Sequence, residues 1–195
     1  MKLIAITGSI ASGKTFTSSI IENHGYPVFY CDKYVASLYD DKEFSKKLEY
    51  IFPAIKPISK ANISKRIFDD EQEKSKLEKL VHPLVETTIL QFIDKCRSKG
   101  ARLVFVEIPL LFETNKQNLF DYIITVTCSD EVREKRALER SGMTREKLKK
   151  ILNNQIPDKL KVGLSDFVLH SDNNQLVFSK DVLELIKKLE KLCER

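Results

Sequence analysis

Eight residues near the N-terminus have the types and spacing that bind phosphate. Residues 8–15 read Gly-Ser-Ile-Ala-Ser-Gly-Lys-Thr and fit the pattern GxxxxGK[ST]. Gly8 permits a sharp turn after an apolar segment, and Gly13 lets the backbone approach a phosphate without obstruction by a Cβ atom. The Lys14 ammonium can reach the β- and γ-phosphates of a nucleotide, and the Thr15 hydroxyl can ligate Mg²⁺. The pattern therefore predicts a nucleotide and its magnesium ion as ligands.

The elements around this pattern are those that phosphate binding needs. The apolar segment Leu3–Thr7 predicts a strand, and Lys14–Asn23 has the spacing of a helix that ends near Gly25. Successive backbone N–H groups would meet at the N-terminus of that helix, where the helix dipole favours anions. We expect the nucleotide-binding residues to be Gly8, Ala11, Ser12, Gly13, Lys14, Thr15 and Phe16.

Strands and helices alternate along much of the chain. Further strands are predicted at Pro27–Cys31, Arg102–Ile108, Tyr122–Thr127 and Phe167–Leu169. Further helices are predicted around Ser75–Cys96 and at Asp130–Arg140, Arg145–Asn154 and Lys180–Cys193, with a start, an end or a kink at Pro83. Several strands are continuous apolar segments, which is typical of a parallel sheet covered on both faces. The sequence predicts an α/β fold of the P-loop NTPase type, with a five-stranded parallel sheet between two layers of helices.

Two regions fit this alternation poorly. Residues 33–97 carry a helical pattern without a good strand and predict a helical insertion. Residues 136–163 are polar and strongly basic and predict a helical lid. We expect the nucleotide-binding core to comprise residues 1–32, 98–135 and 164–195. The alternative for both regions is a set of ordinary solvated helices.

The composition of the 195-residue chain argues against a membrane-spanning, a secreted or a nucleic-acid-binding protein. No segment approaches the roughly 18 apolar residues that span a bilayer, and the N-terminus lacks the features of a secretory signal. The net charge of +5 comes without a block of like charges, so a nucleic-acid partner is not expected. We expect a cytoplasmic protein with no membrane partner and no Cys/His metal site, because its four cysteines lie far apart, at Cys31, Cys96, Cys128 and Cys193.

Small-molecule kinases are the P-loop proteins that this sequence fits best. Residues 115–118 lack the aspartate of a guanine-reading NKxD, no DxxG occurs, and a motor ATPase needs a longer chain. A kinase needs a base for the acceptor hydroxyl. Asp32 follows the second predicted strand, and ligands of open α/β sheets lie beyond the carboxyl ends of strands. Asp32 is equally placed to cap a helix that starts at Lys33, so both interpretations stay open.

Four further segments follow the P-loop in a characteristic order. They are LEKLVHPLV (77–85), EIPLLFE (107–113), REKRALERSGMTREKLKKILNNQ (133–155) and KVGLSDFVL (161–169). With them the chain closely resembles the dephospho-CoA kinase family over essentially its whole length. This resemblance implies ATP- and Mg²⁺-dependent phosphorylation of the ribose 3′-hydroxyl of dephospho-CoA, which gives coenzyme A and ADP in the last step of coenzyme A biosynthesis.

The resemblance also implies the catalytic residues, Lys14, Asp32 and Arg140. Asp32 matches the aspartate that orients and deprotonates the 3′-hydroxyl. Arg140 matches a lid arginine that closes on the phosphates, where developing charge needs a fixed planar donor. Arg136 is a second candidate for that role, and its alternative is an exposed helix residue with i,i+4 partners.

Further positions match the acceptor side of the family, where residues 33–97 form the CoA-side domain. For His82 the alternative is a histidine at a helix end, and for Leu111 it is core packing. Lys161 and Asp166 match the segment near the adenine of ATP. The residues implied to contact the acceptor are His82, Glu107, Leu111 and Lys60, and Phe68 matches one more position of the same domain.

The chain departs from the family pattern at four positions. Tyr30 and Glu107 stand where the family usually has aspartate, Ala36 where it has arginine, and Ser171 where it has asparagine. Tyr30 removes a negative charge near the expected metal, and Ala36 removes one candidate contact to the acceptor. Because none of these changes touches the catalytic residues or Thr15, we still expect activity.

Two other functions remain as alternatives. One is a kinase of the same architecture with a nucleoside or nucleotide as acceptor, and the other is a catalytically silent nucleotide-binding regulator. The sequence leaves the oligomeric state open, a monomer included.

Overall fold

The computed structural model describes residues 1–67 and 70–193 and contains a five-stranded parallel sheet. Its strands are β1 (Lys2–Thr7), β2 (Val28–Tyr30), β3 (Leu103–Glu107), β4 (Tyr122–Thr127) and β5 (Phe167–His170), in the spatial order β2-β3-β1-β4-β5. In the central strand, Ile4 lies opposite Phe105 on one side and Tyr122 on the other. All five predicted strands are confirmed, and each observed end lies within one residue of the expected end.

Nine α-helices occur in the described residues. They are α1 (Lys14–Asn23), α2 (Cys31–Leu38), α3 (Lys42–Ile51), α4 (Lys60–Ile67), α5 (Glu71–Ser98), α6 (Asp130–Leu138), α7 (Arg145–Asn153), α8 (Asp158–Gly163) and α9 (Gln175–Leu192). The bounds predicted for α1 are confirmed. The start predicted for α9 at Lys180 is wrong, because the Asn174 side chain accepts a hydrogen bond from Val177 N (3.0 Å) and caps the helix five residues earlier.

The helix α5 runs through Pro83. Of the three alternatives expected at this proline, a start and an end are therefore wrong, and a kink stays a prediction. Proline removes one backbone donor from a helix, but the turns on either side keep their own hydrogen bonds. Val81 is buried and Leu84 packs beside it in the same apolar cluster, so packing around the proline favours a continuous helix.

The chain divides into two compact units, residues 1–29 with 93–195 and residues 30–92. The core of the first unit lies along the sheet, where every residue of β3 is buried. A strand that is buried along its whole length is covered on both faces. The expected α/β class is therefore confirmed.

The second unit is built from α2, α3, α4 and most of α5. Its core contains Leu38, Phe44, Leu48, Phe52, Ile63 and Val81. Asp41 caps α3 by accepting a hydrogen bond from Phe44 N (2.8 Å), which fixes where the helix starts and which face it buries.

Three expectations about these regions stay open. The acceptor-side role of residues 33–97 and the lid role of residues 136–163 remain predictions. Phe68 lies outside the described residues. Across residues 1–67 and 70–193, no helix has both the length and the apolar character needed to cross a bilayer.

Leu48→Ala tests the helical core. Leu48 is fully buried, so we expect the free energy of unfolding to fall by about 2–5 kcal/mol through lost burial and a new cavity. The measurement is urea unfolding followed by circular dichroism. Tyr50→Ala is the matched control, since Tyr50 lies on the same helix and is 89% exposed. Equal midpoints for the two variants would contradict this packing.

Candidate nucleotide-binding site

A cavity of about 290 Å³ lies at the N-terminus of α1. Of the seven residues predicted to bind the nucleotide, all except Gly8 line this cavity. Both candidate arginines, Arg136 and Arg140, line the same cavity. Sequence reasoning missed three lining residues after β5, where no motif is recognisable: Asn173 in the loop, and Gln175 and Phe178 in α9. The full lining is Ala11, Ser12, Gly13, Lys14, Thr15, Phe16, Arg136, Arg140, Ser171, Asn173, Gln175 and Phe178.

Two glycines let the loop after β1 pass close to neighbouring backbone. Gly8 has φ +144°, and a Cβ atom there would lie 2.1 Å from the carbonyl oxygen of Val126 in β4. Gly13 has φ +99°, and a Cβ atom there would lie 3.2 Å from Ser171 Oγ. The missing side chain of Gly13 thus makes room for the loop after β5, a neighbour that the motif alone did not reveal.

The same loop is attached to helices α6 and α7 through apolar contacts. Ala11 has φ +59°, a left-handed conformation that is uncommon for alanine. Its methyl group is buried in a cluster with Ala137 of α6 and Leu148 of α7. Burial of this methyl offsets part of the backbone strain, so the helices support the phosphate-binding loop from outside.

The ammonium group of Lys14 is directed back over the start of the loop. Lys14 Nζ donates hydrogen bonds to the carbonyl oxygens of Gly8 and Ser9, both at 2.9 Å, and the residue is only 9% exposed. Hydrogen bonds from a charged donor are among the stronger ones in proteins. A positive charge is therefore held at the wall of the cavity.

Thr15 and Glu107 form a pair of oxygen-bearing side chains. Thr15 Oγ1 donates a hydrogen bond to Glu107 Oε1 (2.8 Å), which brings the predicted metal ligand to the end of β3. Glu107 is buried, and its Oε2 has no hydrogen-bond partner among the described residues. A hydroxyl and a carboxylate with an unused oxygen fit Mg²⁺, which prefers oxygen ligands. Glu107, expected beside the acceptor, is thus also placed for the metal.

Ser171 connects the loop after β5 to two other parts of the cavity wall. Its Oγ donates to the carbonyl oxygen of Ser12 (2.7 Å) and accepts from Arg136 Nη1 (2.8 Å). Arg136 Nη2 also donates to the carbonyl oxygen of Ser171 (2.6 Å). The serine that departs from the family pattern thus fixes Arg136 beside the phosphate-binding loop. Arg136 is therefore anchored at the cavity rather than free on an outer helix face.

The loop after β5 has a second anchor at Asp172. The backbone N–H of Ser129 donates to Asp172 Oδ1 (2.7 Å), and this hydrogen bond lowers the pKa of Asp172 below its ordinary value. The carboxylate is therefore ionised at neutral pH and holds the loop against the start of α6. Nearby, burial raises the pKa of the Cys128 thiol, which stays neutral.

Two residues at the connection from α7 to α8 contact the start of the phosphate-binding loop: Gln155 lies before α8, and Asp158 is its first residue. Gln155 Oε1 accepts a hydrogen bond from the backbone N–H of Ile10 (3.0 Å). The Asp158 carboxylate accepts one from the Ser9 hydroxyl. The sequence analysis gave neither residue a role, because both contacts join segments far apart in the sequence.

A buried ion pair anchors the same segment at its other end. Lys161 is fully buried, and its Nζ lies 2.9 Å from Glu113 Oε1, which also accepts a hydrogen bond from Ile156 N (3.0 Å). Lys161, expected near the adenine, is thus engaged in the interior. Asp166 accepts a hydrogen bond from Ile123 N (2.8 Å) and holds the start of β4.

In the second unit, Asp32 lies exposed in the first turn of α2. The helix starts at Cys31 with Tyr30 as its N-cap, so the alternative that Asp32 caps a helix starting at Lys33 is wrong. The ring of Tyr30 lies 3.3 Å from Lys33 Nζ, a cation–π contact. Because Tyr30 and not Asp32 is the N-cap residue, the Asp32 carboxylate does not cap this helix.

The other predicted acceptor residues differ in their surroundings. His82 is half-buried within α5, so the alternative of a helix-end histidine is wrong. Lys60 is the exposed first residue of α4. Leu111, in the first unit, is fully buried, which favours packing over contact with a ligand.

Comparisons with known proteins agree on one family. A model of the family "Dephospho-CoA kinase" matches residues 2–176. A relative from Rickettsia bellii with the name dephospho-CoA kinase is 33% identical over 190 residues, which cover 97% of this chain and 98% of the relative. The solved structure of TT1252 from Thermus thermophilus is 28% identical with a TM-score of 0.84, and a dephospho-CoA kinase from Campylobacter jejuni is 26% identical with a TM-score of 0.67. Each alignment to these structures covers 96% of both chains.

Gly8→Ala tests the turn after β1. We expect a large fall in the melting temperature and no rise on adding ADP, because the new methyl group collides with the carbonyl oxygen of Val126. Gly142→Ala is the control: Gly142 has φ +72° but no atom within 4 Å of a Cβ, so it carries only backbone strain of about 1–3 kcal/mol. Thermal unfolding with and without ADP measures both. Equal behaviour of the two variants would refute the close approach.

Proposed function

The chain belongs to the dephospho-CoA kinase family, and on this premise we propose that it transfers the γ-phosphoryl group of ATP to the ribose 3′-hydroxyl of dephospho-CoA. The products are coenzyme A and ADP. As a member of this family the chain is a kinase, and so a transferase. The observation that carries the proposal is the cavity at the start of α1, which brings Lys14, Thr15 and two arginines together.

The chain's own groups account for binding the phosphates. The first backbone N–H groups of a helix have no acceptor within the helix and point toward an anion at its N-terminus. The Lys14 ammonium and the guanidinium groups of Arg136 and Arg140 line the same cavity. Positive groups there stabilise the negative charge of the transferring phosphoryl group.

Thr15 and Glu107 are the residues that would hold Mg²⁺. When bound, the ion would supply charge neutralisation at the phosphates of the nucleotide. The hydroxyl and the carboxylate are already hydrogen-bonded to each other, and this contact orients both oxygens before any ligand arrives. Glu107 keeps the carboxylate found in the family and adds one methylene of reach.

Asp32 is the proposed base for the acceptor. Its exposed carboxylate takes the proton of the 3′-hydroxyl, the hydroxyl oxygen forms a bond to the γ-phosphorus, and the bond from that phosphorus to the β–γ bridging oxygen breaks. ADP leaves with the bridging oxygen. His82 and Lys60 are proposed contacts to the acceptor, and we place the reaction in the cytoplasm.

The choice of acceptor separates the proposed reaction from its rivals. We expect purified protein with Mg²⁺ and ATP to release ADP in the presence of dephospho-CoA and to give no comparable release with nucleosides or nucleotides. Release with nucleosides alone would select a different small-molecule kinase. No release with any acceptor, while ADP still binds, would select a silent nucleotide-binding regulator.

Asp32→Asn tests the proposed base. We expect kcat to fall by about 10²–10⁴-fold, the usual scale for a lost acid–base group, with the dissociation constant for ADP unchanged. Asp40→Asn is the control, because Asp40 is an exposed aspartate just beyond the same helix. Steady-state kinetics and calorimetric ADP binding measure both variants. An Asp32→Asn enzyme with unchanged kcat would remove Asp32 from the mechanism.

A further inference from the structure

We propose that Asp158 is a positioning residue for the phosphate-binding loop and acts through Ser9. The proposal rests on the proposed kinase function only for its kinetic readout, since binding of ADP tests it separately. The Asp158 carboxylate accepts hydrogen bonds from the Ser9 hydroxyl and from Thr127 Oγ1 (2.8 Å), and it pairs with Arg133 Nη2. One side chain thereby joins the phosphate-binding loop, the end of β4 and α6.

Ser9 carries the effect of Asp158 into the loop. The residue is 2% exposed, and its side chain is oriented by the carboxylate. The carbonyl oxygen of the same residue accepts hydrogen bonds from Lys14 Nζ (2.9 Å) and from Ser12 N (3.3 Å). A rotation of Ser9 would therefore move an acceptor of the Lys14 ammonium and a turn of the loop together.

Asp158 acts at a distance from the nucleotide. It does not belong to the lining of the cavity, and a carboxylate there would repel phosphate. Arg133, which is 6% exposed, balances its charge and also donates to the carbonyl oxygen of Cys128 (3.2 Å). The paired carboxylate can thus fix the loop while its own negative charge is screened from the site.

The segment that carries Asp158 has independent anchors. Gln155 contacts Ile10 N, and Glu113 holds both Ile156 N and Lys161. These contacts remain when the hydrogen bond between Ser9 and Asp158 is removed. We therefore expect a local loss of orientation in the loop rather than release of the whole segment.

A double-mutant cycle of Ser9→Ala, Asp158→Ala and the pair tests this role, since Asp158→Ala removes both oxygens that could accept from Ser9. We expect each single change to raise the dissociation constant for ADP by about tenfold, the scale of a lost hydrogen bond to a charged group. Because both changes remove the same contact, the double variant should bind ADP no more weakly than the weaker single variant. Calorimetry gives the dissociation constants, and steady-state kinetics should show a matching rise in KM for ATP that exceeds any change in kcat.

Thr127→Val is the matched control. This variant removes a different hydroxyl from the same carboxylate, so it should lower the melting temperature and leave the ADP dissociation constant unchanged.

Two results would overturn the proposal. One is that the changes at Ser9 and at Asp158 have additive effects on ADP binding, and the other is that these variants melt at lower temperatures but bind ADP as the wild type does. If Asp158→Ala does not fold, Ser9→Ala by itself is the test, and unchanged ADP binding in that variant would also overturn the proposal. If the wild-type protein binds ADP but does not phosphorylate dephospho-CoA, the proposed function is wrong, and the ADP-binding test of Asp158 still applies.

Discussion

The loop after β1 passes so close to β4 that a side chain at its first position has no room. The backbone oxygen of Val126 occupies the place where a Cβ atom of Gly8 would lie, and Ser171 stands against Gly13. Backbone this close to its neighbours cannot shift without moving a strand. The rigidity of the sheet is thereby passed to the residues that surround the phosphates, and a rigid site does not have to reorganise when charge develops.

Charged side chains reinforce this geometry because the first unit buries several of them beside the loop. Lys14 is held by two backbone carbonyl oxygens, and Arg133 is paired with a carboxylate. A buried charge without a partner is costly, so each of these groups constrains the segments that supply its partners. Of the positive groups that line the cavity, Lys14 and Arg136 are placed by hydrogen bonds to their neighbours and are oriented before an anionic ligand binds.

The sequence predicted the sheet and the phosphate-binding residues because their signals are local. A strand, a glycine-rich turn and a helix lie within 23 residues of the N-terminus, and the motif states which groups face the phosphate. The contacts that support this loop were not predictable. Ser171 is 159 residues from Ser12, and Asp158 is 149 residues from Ser9, so no spacing in the sequence relates them. At Pro83 the sequence left a start, an end or a kink open, and it could not decide among them because the apolar packing around this proline involves several other helices.

The contacts of Ser171 and Glu107 show how two residues that depart from the family pattern are used in the first unit. Ser171 replaces an amide side chain with a hydroxyl, yet one hydroxyl both donates to Ser12 and accepts from Arg136. An oxygen that donates and accepts at once is sufficient to join a loop to a guanidinium. Glu107 reaches Thr15 with a side chain one methylene longer than aspartate, and its second oxygen stays available. In both places the residue of this chain supplies an oxygen that contacts the phosphate-binding segment, at Ser12 in one case and at Thr15 in the other.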